Sequence, residues 1–528
     1  MRVLVILLLL VFVSSCGKKE EVSQKQVLNI SFGNEVRTLD PRLGGENPTN
    51  QLIRMLFDGL TRRNEQGNIV PAIAEKYVIS EDFKTYTFTL RKSYWTDGEP
   101  VTAYDFEYAW KKSLDPKTLS HGAQNFYFIK NAKLSGEGKV SVDEIGIRAL
   151  DDYTFEVELE YPAPYFLEVI SSTLFYPIPK HLDEKDPNWA HQKDHNFVSN
   201  GPFRLKKWKQ GDYIVVEKNL SYWDNEHVSL PEIKISFLED GITQLYMFEK
   251  NKLDWIGDPV SKVPPEAMKS LKEVGAFSFV PSTKVYWFFL NSEIFPLNHK
   301  KIRQAFSYAI NRQEIVDHIF DRNALPAYGI IAPCFALGNT ACFEDKQPNK
   351  AKMVFDEALV ELGLTPETFP PVTIKYPTSV EILSRTAQTV QQLWQDTFGI
   401  KVILKQADWP VHFSAIQSGD YEVGMMAWFS LMEDPIFMLQ TFKYKCDMVN
   451  MSNWESQEYI DLLEASNYEA DSEKRNEILI AAEKVLMDEM PIIPICYAGM
   501  EFSKKPELIG VNLSPSGEID FKFASFSQ

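Results

Sequence analysis

From Tyr86 to Leu90 the apolar residues Tyr86, Phe88 and Leu90 alternate with Thr87 and Thr89, the period-two pattern of a strand with one face buried. The chain then reverses at Thr96-Asp97-Gly98, and Pro100, which has no N–H to donate, bars the turn from running on as helix or ladder. Behind the turn the period becomes helical. Phe106, Ala109, Trp110 and Leu114 recur every three or four residues, Thr102 and Asp105 stand at capping-box spacing, and Asp115-Pro116 ends the run. Strand, turn and capped helix make a compact α/β unit.

Similar patterns recur along most of the chain, with no internal repeat. Strands are expected over 27–30, 203–208, 213–217, 233–238 and 401–405, 153–159 has a hairpin-like pattern, and 277–290 reads as a strand-like aromatic run interrupted by Pro281. Helices are expected over 50–57, 243–251, 380–398, 458–465 and 473–488. A further amphipathic helix over 300–320 carries Ile302, Ala305, Phe306, Ala309 and Ile310 on one face.

At 528 residues the chain has length for about three domains, and 44% hydrophobic residues is ordinary for a globular protein. A net charge of -18 argues against a nucleic-acid or anionic-membrane surface, which needs clustered Lys and Arg to neutralise phosphate. The amino terminus is different in kind. Arg2 precedes an apolar run over 3–13 that closes at Val13-Ser14-Ser15-Cys16. Eleven apolar residues are too few to span a bilayer core, so residues 1–15 read as a cleaved signal. V-S-S-C resembles a lipobox, in which Cys16 is lipidated, and 16–26 would be a polar tether; an ordinary signal cut nearby is the alternative. Export permits disulfides, and Cys334 and Cys342 flank a loop they could close, whereas Cys446 and Cys496 lie far apart in sequence.

Enzyme signatures are missing: there is no G-x-x-x-x-G-K-[ST], H-E-x-x-H, G-x-S-x-G or G-x-G-x-x-G, and neither an enzyme nor a cofactor is expected. The one metal-like cluster is His191 and His195, at i and i+4, with His181 upstream; the alternative is a solvated loop, since 183–194 is polar and contains Pro187.

The ordered pieces LFDGL (56–60), VPAIAEKY, YTFTLRK, WTDGEPVTAYDF, SNGPFRLKKW (199–208), LSYWD and KKIRQAFSYAINRQEIV (300–316) resemble the solute-binding proteins of peptide-type ABC importers, bacterial extracellular family 5, and most of all its oligopeptide-binding members. The resemblance implies an α/β, bilobed periplasmic-binding-protein-like fold (type II, cluster C) with three domains and a two-strand hinge. Domain I would comprise 27–57, 180–283 and 498–528, domain II 58–179, and domain III 284–497. It implies a monomeric, extracytoplasmic protein, in the periplasm or at the cell surface. Such a protein would be held to membrane lipid through Cys16, and would capture short peptides and pass them to ABC permease subunits. A murein tripeptide carrier, a nickel or haem carrier and a peptide-sensing receptor are the alternatives.

Site residues follow from the same resemblance. Trp409 and Trp428 align with tryptophans that line ligand pockets, Trp287 falls at a pocket-lining aromatic position, Asn200-Gly201 matches a turn near the ligand backbone, and Glu46 lies in a loop that enters the cleft. The chain also departs from its relatives. Leu431 stands where an aspartate holds the peptide ammonium, and a buried ammonium without a partner costs several kcal/mol. Either Glu433, Asp434 or Glu46 takes over, or the ligand's amino end is placed differently or lacks a free amine. Met425 and Phe320 replace basic residues that receive ligand carboxylates, and Lys284 and Phe429 stand in place of a disulfide.

Overall fold

The computed structural model describes residues 27–527 apart from 46, 119, 121, 321–322, 336, 338–340, 379, 431 and 448. The signal and tether expected over 1–26, with Cys16, therefore lie outside the described residues, as do Glu46 and Leu431.

The period-two segment forms strand Thr85–Leu90, paired on one side with Ala74–Ile79 and on the other with Thr154–Glu158, which pairs in turn with Ile147–Asp151. Helix Ala103–Leu114 covers this sheet. Its start is fixed as the spacing predicts, with Thr102 N–H donating to Asp105 Oδ2 at 2.8 Å, and it buries Phe106 and Trp110 edge-on or tilted against Phe155. Indole Nε1 of Trp110 is satisfied by Phe175 O at 2.8 Å.

A second four-stranded sheet runs Val27–Phe32, Glu232–Phe237, Tyr213–Lys218, Phe203–Lys209, and in it the first strand lies parallel to one that follows some two hundred residues later. The largest sheet has seven strands. Its spine is the antiparallel pair Phe277–Leu290 and Ile492–Lys504, both far longer than the other strands of the sheet. At one end this pair holds Trp255–Gly257, and at the other Val423–Trp428, followed by Val372–Pro377 and Val402–Ala407.

Two expectations about elements change. Pro281 does not interrupt the aromatic run. It sits within the strand, next to a register shift between Pro281 and Val285, where a missing N–H leaves no ladder position empty. The helix expected over 300–320 is two, Lys300–Tyr308 and Arg312–His318. Asn311 breaks the run by capping the second helix through Glu314 N–H at 3.2 Å. The Arg312 guanidinium turns inward to Ser307 and to Pro494 O at 2.7 Å.

The signature L-F-D-G-L follows helix Asn47–Leu56, and its aspartate is fully buried. Asp58 Oδ1 accepts from Arg62 Nη1 at 3.1 Å and Gly59 N–H, and Oδ2 accepts from Tyr222 O–H at 2.6 Å and Trp223 Nε1 at 3.0 Å. Arg62 is forked onto Asp520 from the carboxy-terminal tail. Asn200 closes the knot, accepting from Asp58 N–H and donating to Asp58 O.

Replacing Asp58 with Ala leaves the Arg62 guanidinium buried beside one carboxylate instead of two. We expect a loss of about 3 kcal/mol or more, read as a lower midpoint in urea or thermal unfolding; a change below about 1 kcal/mol would show that the knot is dispensable.

Candidate functional site

A cavity of about 220 Å³ opens where these units meet. Its walls come from distant parts of the chain: Gly45, Asn47 and Arg54 around helix Asn47–Leu56, Asn125 and Thr173 beside the signature sheet, Met432 after strand Val423–Trp428, and Ser516 and Glu518 from the tail. Two larger hollows, each about 550 Å³, are lined by residues on one side of the molecule only, around helix Ala103–Leu114 and around Gly241 and Pro264. Size favours those two. Convergence of helix and loop segments far apart in the chain favours the smaller cavity as the candidate site, because binding there can be coupled to relative movement of the parts.

The tail is pinned into this wall by Gln51, whose amide donates to Gly517 O at 2.8 Å and accepts from Ile519 N–H at 2.9 Å. A tight turn at 514–518, with Gly517 at φ +87°, presents Glu518 to the cavity, and Arg54 binds Glu518 Oε1 from below. Arg54 is almost wholly buried, and its Nε has no hydrogen-bond partner among the described residues.

Of the residues singled out in the sequence, Trp287 and Trp428 are brought together on adjacent strands, their rings stacked at 6.4 Å and 22°. Trp287 is fully buried behind Trp428, with Phe442 and Phe289 edge-on to it, so of the two Trp428 is the one with an open face. Trp409 opens helix Trp409–Gln417 and is 43% exposed, stacked on Phe413 and apart from the other two. Met425 and Phe320 are core residues, the latter packed against Tyr286.

Several of these positions have partners inside the protein. Asn200 is committed to Asp58, and a Cβ on Gly201 would lie 2.5 Å from the Leu56 carbonyl carbon. Asp434 is no spare carboxylate, since Arg475 grips both oxygens at 2.7 and 2.8 Å and Asp434 Oδ1 also caps helix Ile436–Leu439. Glu433 is held by Arg63 at 3.1 Å and by Ser516 Oγ at 3.3 Å. No motif or period singles out Glu518, whose place depends on a tail folded back across the molecule. Helix Trp189–His191 ends before His195, so the histidines share no helical face, and among the described residues no group of three His, Cys, Asp or Glu is placed to hold a metal. Among the described residues Cys334, Cys342, Cys446 and Cys496 form no disulfide, and burial pushes the Cys334 thiol up to about 12.

Beside the cavity, Glu168 shares Arg63 with Glu433. Its Oε1 accepts from Arg63 Nη2 at 3.3 Å and from Glu433 N–H at 2.5 Å. Burial is the largest influence on it and pushes its carboxyl up to about 7; the nearby charges of Glu433 and Asp434 act in the same sense, and Arg63 opposes them.

A family model described as bacterial extracellular solute-binding proteins, family 5, middle, matches residues 68–450. The oligopeptide-binding protein OppA of Bacillus subtilis (strain 168) is 35% identical over 539 aligned positions, covering 99% of each chain. Among solved structures, the periplasmic murein tripeptide binding protein MppA in its unliganded open form superposes with a TM-score of 0.82 at 27% identity, covering 94% of this chain and 95% of that one. A further structure of that protein, from Escherichia coli, gives a TM-score of 0.72 at 28% identity, with coverage of 94% and 96%.

With Glu168 raised from 4.5 to about 7, the folded protein binds a proton that the unfolded chain has released. The contribution is complete below the unfolded value and is lost as pH rises through 7, by at most about 3 kcal/mol. Glu168→Gln should therefore gain thermal stability relative to the unaltered protein as pH goes from 5 to 8. A difference that is flat or falls over that range would contradict the assignment.

Proposed function

The chain belongs to the bacterial extracellular solute-binding proteins of family 5, and from that we propose that it captures short oligopeptides between two lobes and delivers them to the membrane permease of an ABC importer. The observation that carries this is the match along its entire length to a protein named for oligopeptide binding. The cavity fits the role. Its polar lining of Asn47, Asn125, Arg54 and Glu518 offers partners for backbone amides, carbonyls and charged ends. Reading the peptide backbone leaves side chains free to vary, and several hydrogen bonds of about 1 kcal/mol each, with lobe closure, reach micromolar affinity. The protein performs no chemistry of its own.

In this reading 27–57, 180–283 and 498–528 form domain I, 58–179 domain II, and 284–497 domain III. The hinge is the long pair Phe277–Leu290 and Ile492–Lys504, bending where the register shifts between Pro281 and Val285. Around that bend Thr283 N–H donates to Pro515 O at 3.1 Å and Thr283 Oγ1 to Ser430 O at 2.7 Å, bonds that link tail and lobe at the pivot. The better superposition on an unliganded open form supports an open arrangement of the lobes.

A murein tripeptide is the second reading, favoured by that same similarity and by the loss of an acid at Leu431. The sequence V-S-S-C supports a lipid anchor on Cys16 outside the cytoplasm, with di- or triacylation giving the lasting attachment a single chain does not.

Native mass spectrometry of the protein expressed from residue 17 should release a mixed set of tri- to pentapeptides on partial unfolding. One species with unusual amino acids would favour the murein reading, whereas no retained peptide together with no binding of added tri- or pentapeptides would overturn peptide capture. The full chain should partition into detergent, and Cys16→Ser into the aqueous phase; equal partitioning would rule out the anchor.

A further inference from the structure

The buried knot and the cavity share their charges. Asp58, Asp520 and Glu518 supply three carboxylates, and Arg54 and Arg62 two guanidiniums, so the linked group carries one excess negative charge. That excess has one outlet. Asp58, Asp520, Arg54 and Arg62 are buried, while the Glu518 side chain is 25% exposed and lines the cavity. Arg54 engages Glu518 Oε1, and Oε2 accepts no hydrogen bond among the described residues. Gln51 and the turn at 514–518 fix the backbone, so the carboxylate is presented on a rigid support.

The position that holds the ligand ammonium in related proteins is Leu431 here, and its neighbour Met432 lines the same cavity from the other wall. Asp434 is saturated by Arg475, and Glu433 is held by Arg63 through Oε2 and by Ser516 Oγ through Oε1. We propose that Glu518 is the carboxylate that takes the ammonium end of a bound peptide, a role moved from the lobe that carries Met432 to the carboxy-terminal tail. An ammonium placed there brings the five-membered charge group to neutrality and donates to Oε2, a charge-assisted bond in a partly desolvated site. The inference rests on the peptide-binding reading and specifies which end of the ligand meets which wall.

Calorimetric titration of the ligand-stripped protein with trialanine and with N-acetyl-trialanine tests it. The unaltered protein should bind the free amine about tenfold tighter or more, and Glu518→Gln should bring the two peptides to equal affinity. Glu518→Asp keeps a charge on Arg54 but withdraws it from the cavity by one methylene; it should narrow the gap without lowering the unfolding midpoint, and it serves if the glutamine variant does not fold. Equal binding of both peptides by the unaltered protein overturns the proposal while leaving peptide capture standing. Binding of neither overturns both. A gap that survives in both Glu518 variants, or that collapses in Glu46→Gln or Glu433→Gln instead, assigns the ammonium elsewhere.

Discussion

The buried carboxylate of Asp58 holds the molecule together. Four donors from two places in the chain converge on it: Arg62 and Gly59 from the signature, and Tyr222 and Trp223 from the Y-W-D turn. Through Arg62 the knot reaches Asp520 and the tail, and through Asn200 it fixes the turn that leads into strand Phe203–Lys209. A charge taken out of water is tolerable only when its whole hydrogen-bonding capacity is met, so each partner constrains the others. The residues that make the family recognisable are in this respect a scaffold. The carboxylate of Asp58, the amide of Asn200 and the missing side chain of Gly201 serve the packing of helix Asn47–Leu56 against the second sheet.

That rigidity is what the proposed pivot in the long strand pair requires. In that reading, units knotted by buried charge and aromatic packing would move as bodies, with bending at the shifted register around Pro281. The cavity sits at the same junction, lined by segments that belong to different units, so a ligand filling it bridges parts that otherwise meet through few bonds. Arg63, Glu168 and Glu433 form one such bridge, two carboxylates around a single guanidinium, with a protonation state set by burial.

Sequence reading located most elements closely, because a period of two or of 3.6 is written in consecutive residues and burial of one face enforces it. It failed where tertiary partners outweigh the local pattern. The apolar stripe through 300–320 looks continuous, yet the inward demand of Arg312 for Ser307 and Pro494 O turns the chain at Asn311. The candidate site was legible only in part. The stacking of Trp287 and Trp428 follows from neighbouring strands, whereas the commitment of Asp434 to Arg475 and of Asn200 to Asp58 could not be seen, since a polar residue in a loop has many possible partners and the fold selects one.

The sequence alone determined the family, the α/β character, the position of the capped signature helix and the loss of an acid at Leu431, all properties of residue types at fixed spacing. Only the tertiary structure decided which carboxylates are spent on internal cations and which one faces the cavity. Glu518 and Asp520 stand two residues apart on one tail, yet Asp520 is sealed against Arg62 and Glu518 opens to the site, because the turn at 514–518 and Gln51 set the tail's register against helix Asn47–Leu56. Charge in a chain is countable from its letters, but its availability depends on burial and pairing, and those belong to the fold.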